Sequence, residues 1–172
     1  MALFPLSAAH KRYVKAETAV GIGFNGVLSV VFGLPFYNVP AIPLWGAQGM
    51  AVDLVPTVFM ITLVQTIIIT LITRRRVKAG AVAALPEPRS AYPLLKLLPA
   101  NVLARALLMA LVLSLILVPL TIGAMAVLGV DGITFAPFIS FKVVYGVAVG
   151  MLSAPLSLLA ALSDKTVPVT PV

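Results

Sequence analysis

Residues 54–73 read LVPTVFMITLVQTIIITLIT, a run of 20 residues without a charged side chain. A helix rising about 1.5 Å per residue crosses the hydrocarbon core of a bilayer, about 30 Å thick, in about 20 residues. Residues 18–52, 106–130 and 143–163 are equally free of charge. Four such runs predict an all-α integral membrane protein whose four transmembrane helices pack as a bundle.

The composition leads to the same prediction. Hydrophobic residues make up 61% of the chain and charged residues 10%, and the mean hydropathy is +1.13. Soluble domains are about 45–50% apolar and about 25% charged, so a soluble fold of 172 residues could not cover this much apolar surface. The chain has no cysteine, which excludes disulfides and thiolate metal sites.

The net charge of +7 is distributed unevenly along the chain. Basic residues concentrate in cytoplasmic loops of membrane proteins, so this bias predicts that both termini are cytoplasmic and disfavours nucleic-acid binding. Only Lys142 then lies toward the outer face. The cytoplasmic basic residues are Lys11, Arg12, Lys15, Arg74, Arg75, Arg76, Lys78, Arg89, Lys96, Arg105 and Lys165.

The charges and prolines set the predicted boundaries, and Asn101 is a predicted N-cap. Each half of the chain then forms a hairpin of the same orientation, which suggests a repeat, although any four-helix protein with both ends inside has this outline. The predicted segments are a cytoplasmic N-terminus (1–17), helix (18–37), outer loop (38–51), helix (52–73), basic cytoplasmic loop (74–101), helix (102–128), outer turn (129–136), helix (137–162) and cytoplasmic tail (163–172).

Asp53 and Lys142 are charged residues at the outer ends of two spans. Asp53 lies 20 residues before Thr73 and Lys142 lies 21 before Ser163, which puts both about 30 Å from the cytoplasmic ends. Opposite charges at one depth predict an ion pair between the second and fourth helices. The alternative is that each side chain points separately into the headgroup region.

Uncharged polar and small residues inside the spans predict helix contacts. Asn25 and Gln65 lie at matching depths, so they are candidates to hydrogen-bond each other, either as packing contacts or, with Thr62, as the lining of a solute path. Gly146 and Gly150 form a G-x-x-x-G pattern that lets helices approach closely, within the chain or in a dimer.

Motifs of soluble and intramembrane enzymes are missing from the sequence. No G-K-[ST] phosphate loop, Ser-His-Asp set or H-E-x-x-H motif occurs, and His10 is the single histidine, so we expect no enzyme, cofactor or metal. The cluster of Arg74, Arg75, Arg76 and Lys78 is a candidate for anionic lipid headgroups, or simply fixes the orientation of the helix.

The sequence names no substrate. The outline is typical of a small polytopic protein of the bacterial inner membrane, and its helices are rich in packing residues and poor in ionisable ones. We therefore expect a non-catalytic accessory or scaffold subunit. The alternative is a small oligomeric permease or channel for an uncharged or weakly polar solute. Expected partners are membrane lipids and a homo-oligomer or larger membrane complex.

Overall fold

The computed structural model describes residues 6–87 and 89–164. This part of the chain contains four long helices, and each is long and apolar enough to cross a bilayer. The all-α prediction is confirmed in this sense. Of the predicted tail 163–172, residues 165–172, including Lys165, lie outside the described residues, as do residues 1–5. The helices are α1 (Ala8–Gly33), α2 (Met50–Lys78), α3 (Val102–Val127) and α4 (Phe135–Leu162).

Local signals set the helix ends. The Ser7 side chain accepts a hydrogen bond from the His10 N–H, so α1 starts ten residues before the predicted span and includes the basic HKRYVK segment. Asn101 caps α3 by accepting from the Ala104 N–H at 3.1 Å, which confirms the predicted N-cap. The helix α2 continues past the predicted end at residue 73, and its basic last turn suits a helix C-terminus.

The helices pack in the order α1, α4, α2, α3. The closest neighbours are α1 with α4 and α2 with α3, and α4 also lies along α2, whereas the consecutive helices α1 and α2 touch only lightly. The hairpin α1–α2 and the hairpin α3–α4 are therefore not separate units, because each helix packs mainly against helices of the other hairpin. This neighbour pattern is the one expected when two hairpins are related by a two-fold axis along the bundle.

The connections α1–α2 and α3–α4 meet at one end of the bundle. They pair as two short antiparallel strands, β1 (Ile42–Pro43) and β2 (Gly132–Ile133), with Ile42 opposite Ile133. Gly132 is required here because a Cβ on it would lie 2.9 Å from the Ile42 carbonyl oxygen. Ile42 and Leu44 are buried, whereas Trp45 is 61% exposed. Both α2 and α4 begin at this end. We call it the Lys142 end, after the lysine near the start of α4.

The connection between α2 and α3 covers the opposite end of the bundle, which we call the Arg74 end. It contains two 3₁₀ turns, Arg89–Ala91 and Leu95–Leu97. The Leu85 N–H donates to the Leu162 carbonyl at 2.9 Å, which ties this segment to the end of α4. Its buried side chains form an apolar cluster with that helix end: Leu85, Tyr92, Leu95, Leu159, Ala160 and Leu162.

Glycines of α4 allow α1 to approach closely. A Cβ at Gly146 would lie 2.1 Å from Ser29 Oγ and 3.3 Å from the Asn25 carbonyl oxygen, and one at Gly150 would lie 2.3 Å from Asn25 Nδ2. The structure thus uses the predicted G-x-x-x-G pattern within the chain. The contact also seats two polar side chains of α1 against α4.

We expect Gly146→Ala to destabilise the protein in detergent by about 1–3 kcal/mol, because the buried Ser29 hydroxyl and the Asn25 carbonyl of α1 have to move away from the new methyl group. Gly123→Ala in α3 is the matched control, since nothing lies within 4 Å of a Cβ there. That control should be neutral or more stable by about 0.5–1 kcal/mol. Equal unfolding midpoints for the two variants would contradict the close α1–α4 contact.

Candidate functional site

One face of α2 is polar and buried. Its residues recur at intervals that place them along the side that meets α4 and α1. Opposite them lie the buried polar residues of those two helices, and together they form a continuous layer that we call the polar seam. Its members are Thr57, Thr62, Gln65, Thr66, Thr70 and Thr73 of α2, Asn25 and Ser29 of α1, and Lys142, Ser153 and Ser157 of α4.

An ion pair lies at the Lys142 end of the polar seam. Lys142 Nζ donates to both carboxylate oxygens of Asp53, at 2.8 and 2.7 Å, and lies 3.3 Å from Thr57 Oγ1. The Lys142 side chain is fully buried and that of Asp53 is 11% exposed. The rings of Phe138 and Phe36 lie 5.3 and 6.0 Å from the ammonium, so the charge is held by a carboxylate, a hydroxyl and two aromatic faces. The structure brings Asp53 and Lys142 together.

The centre of the polar seam is a contact between side-chain amides. Asn25 Nδ2 donates to Gln65 Oε1 at 2.8 Å, and Ser153 Oγ lies 3.0 Å from the same oxygen. The single Ser153 hydroxyl proton is shared with the Val149 carbonyl, which is 2.9 Å away. Gln65 lies 12 residues after Asp53 and 9 before Arg74, about 18 and 14 Å along α2. These amides therefore lie near the middle of the predicted hydrocarbon layer.

Several polar atoms of this centre are buried without a hydrogen-bond partner among the described residues. They are Asn25 Oδ1, Ser29 Oγ, Thr62 Oγ1 and Gln65 Nε2. Leaving an amide or hydroxyl without a hydrogen bond in an apolar environment costs several kcal/mol. The four atoms include one acceptor, one donor and two hydroxyls. This mixture suits a small neutral molecule that both donates and accepts hydrogen bonds.

A second polar layer lies next to the centre on the side of the Arg74 end, with Thr66 directly after Gln65 and Ser157 one turn after Ser153. Thr66 Oγ1 and Ser157 Oγ are 3.0 Å apart, and the Met109 sulfur of α3 lies 4.0 and 3.7 Å from them. Ser157 is also 2.9 Å from the Ser153 carbonyl oxygen. The hydroxyls thus link α2 to α4 without any charge.

A carboxylate flanked by two arginines lies at the Arg74 end. Asp164, just after α4, accepts from Arg74 Nη2 at 2.7 Å and Arg74 Nε at 2.9 Å through one oxygen, and from Arg105 Nη2 at 2.7 Å through the other. Arg105 is fully buried, and its Nε donates to the Pro99 carbonyl. The network joins α2, α3 and the end of α4, so charged contacts lie at both ends of the polar seam.

The four basic residues predicted to meet lipid headgroups have different environments. Arg74 is held by Asp164, and Arg76 pairs with Glu17 and lies over the Tyr13 ring. Arg75 and Lys78 are exposed. The lipid contact stays a prediction, and the exposed pair is the part of the cluster that remains available for it.

Sequence reasoning missed the charged contacts at the Arg74 end. Arg105 and Asp164 each border a charge-free run, so their positions are visible in the sequence, but a basic residue there is also what the orientation of the span requires. The depth argument that pairs Asp53 with Lys142 would have pointed to them as well. Among the described residues no group of three or more histidine, aspartate or glutamate side chains is placed to hold a metal ion.

Comparison with protein-family models, curated proteins and solved structures finds no match to this chain.

We expect Asp53→Asn to lower the stability in detergent by about 3–5 kcal/mol, because it leaves the Lys142 ammonium buried without a counter-charge. The double variant Asp53→Asn/Lys142→Met removes both charges and should recover the part of that loss that comes from the unpaired buried ammonium. Asp131→Asn, which alters an exposed acid at the same end, is the matched control. Thermal unfolding midpoints provide the measurement. Additive losses in the double variant would show that the two charges do not interact.

Proposed function

We propose that this protein is a permease for small uncharged polar solutes, with its path along the polar seam. The observation that carries the proposal is the set of four buried polar side chains at the centre, each with an unpaired hydrogen-bonding atom. Polar groups inside a membrane are costly and commonly mark substrate pathways. A solute moving along the seam would exchange hydrogen bonds with these atoms as it passes.

The proposal includes insertion in a membrane with the Arg74 end in the cytoplasm. Support comes from the basic residues near that end that the structure describes as exposed, which are Lys11, Arg12, Lys15, Arg75, Lys78 and Lys96. At the opposite end the described lysine, Lys142, is buried and paired. Basic residues are retained on the cytoplasmic side during insertion, so this distribution favours the same orientation as the sequence does.

The chemistry of the centre limits the class of solute. Amides and hydroxyls supply donors and acceptors without formal charge, so they would not repay the dehydration of an ion in hydrocarbon. Glycines at positions 146 and 150 hold α1 close to α4, which leaves little room around the amide pair. We therefore propose solutes of the size of urea, acetamide or glycerol.

The test is the osmotic response of proteoliposomes to each of these three solutes, followed by stopped-flow light scattering. The wild-type protein should raise the permeability of at least one of them above that of empty liposomes. Gln65→Leu should lower this gain about tenfold, because it removes the central donor and acceptor. Gln48→Leu changes the same residue type in the exposed connection between α1 and α2 and should leave the flux unchanged.

Both variants should elute from a sizing column as the wild type does, so that a loss of flux is not a loss of folding. Wild-type permeability equal to that of empty liposomes for all three solutes would contradict the proposal. The polar seam would then act as a packing layer, and the accessory or scaffold subunit would be the better interpretation.

A further inference from the structure

The bundle consists of two pairs of closely packed helices, and most hydrogen bonds and ion pairs between helices join one pair to the other. We call the closely packed pairs the α1–α4 unit and the α2–α3 unit. Within the α1–α4 unit the contact is made by glycines, and within the α2–α3 unit the fully buried Ala106 and Ala110 of α3 allow a similarly close approach. In the described part of the chain, the polar side-chain contact inside a unit is the long one between Thr66 and Met109, at 4.0 Å.

Polar contacts between the two units run along the whole length of the bundle, beside the apolar clusters that α4 shares with α2 and α3. Tyr13 OH and Thr73 Oγ1 lie 3.1 Å apart near the Arg74 end, and Thr121 Oγ1 lies 3.2 Å from Tyr145 OH on the α3 side. Among the described residues, the further polar contacts between helices of different units include Asp53 and Thr57 with Lys142, Gln65 with Asn25 and Ser153, Thr66 and Met109 with Ser157, Arg76 with Glu17, and Arg74 and Arg105 with Asp164.

This division determines where the bundle can open. A polar contact can exchange its partner for water when two surfaces separate, so the loss is partly recovered. When helices that pack closely through glycine and alanine separate, their van der Waals contacts are lost and water does not replace them. Movement is therefore favoured at the polar seam, with each unit moving as a rigid body.

Both ends of the polar seam are closed in this structure. The Lys142 end is closed by the ion pair with Asp53 and by the buried Ile42 and Leu44 of the connection above it. The Arg74 end is closed by Asp164 between its two arginines and by the segment that carries Leu85 and Leu95. The central amides lie between these two closures, so the described conformation is an occluded one.

We infer that the α1–α4 unit rocks against the α2–α3 unit, and that the Asp53–Lys142 pair and the Arg74/Arg105–Asp164 network are alternating gates. One gate opens to water while the other stays closed, so the centre faces one side of the membrane at a time. This inference rests on the proposed function, because it assigns the charged residues their roles in passing a solute.

A single cysteine at the centre tests the inference, and the absence of native cysteine makes the chemistry specific. Thr62→Cys places a thiol beside the amide pair, and a charged, membrane-impermeant methanethiosulfonate is applied to sealed vesicles of either orientation. The labelling rate from each side then reports which gate admits water. The measurement needs no transported solute.

Each gate is then weakened in the Thr62→Cys protein. Asp53→Asn leaves the Lys142 ammonium without a counter-charge, so the form in which water reaches it is favoured; this variant should raise the labelling rate from the Lys142 side about fivefold and lower the rate from the Arg74 side. Arg105→Gln/Asp164→Asn should have the opposite effect on both rates. The exchanged pair Asp53→Lys/Lys142→Asp should return the rates to the parent values, which separates gating from general loosening of the fold.

Two further single-cysteine proteins calibrate the reagent. Gln48→Cys, in an exposed connection, should react only from the Lys142 side, and Ile68→Cys, on an exposed apolar face of α2, should react from neither side. Their rates should not change when a gate is weakened.

Two results would overturn the inference: unchanged rates in both gate variants, or rates that rise from both sides together, as in a continuous pore. If the protein transports a solute but the labelling rates do not alternate, the rocking inference is wrong and the permease proposal is retained. If the rates alternate but none of the three solutes is transported, the permease proposal is wrong and the movement of the two units is retained.

Discussion

Hydrogen-bonding side chains of α2 that need partners away from water determine how the four helices pack. The helix α2 carries a glutamine and five threonines on its buried face, and no lipid tail can satisfy their amides and hydroxyls. Threonine can bond the carbonyl one turn earlier in its own helix, as Thr57 does to Asp53, but the Gln65 amide needs partners on other helices. The partners that Asn25 and Ser153 supply place α1 and α4 beside α2.

Small residues make that arrangement sterically possible. Because Gly146 and Gly150 lack a Cβ, Ser29 and Asn25 of α1 can pack directly against the backbone of α4. From that position the Asn25 amide donates a hydrogen bond to Gln65. The outward faces carry large apolar side chains instead, with Leu115 at 73% and Leu120 at 66% exposure on α3. The outside of the bundle is therefore apolar, unlike that of a soluble four-helix bundle, while the inside contains the polar seam beside an apolar core.

Residue counting predicts depth but not direction around a helix. The constant rise per residue places Asp53 level with Lys142 and Asn25 level with Gln65, and the structure joins both pairs. The neighbour order of the helices could not be obtained this way, because the charge-free spans are apolar on nearly every side. The β1–β2 pairing could not be predicted either, since it joins two connections that are distant in sequence. Gly132, which the close pairing requires, is the sequence feature that reflects it.

In this structure α2 turns its polar face to the other helices and leaves its apolar face exposed, so in a bilayer we expect the apolar face to meet lipid. Nitroxides at successive positions from residue 60 to residue 72, in lipid bilayers, test it through their collisions with oxygen and with a nickel chelate. We expect oxygen accessibility to oscillate with the helical period, with maxima at Met60, Ile68 and Leu71 and minima at Thr62, Gln65 and Thr70, while the chelate reaches none of the maxima. Uniform oxygen accessibility, or a chelate that collides freely with labels at the maxima, would contradict it.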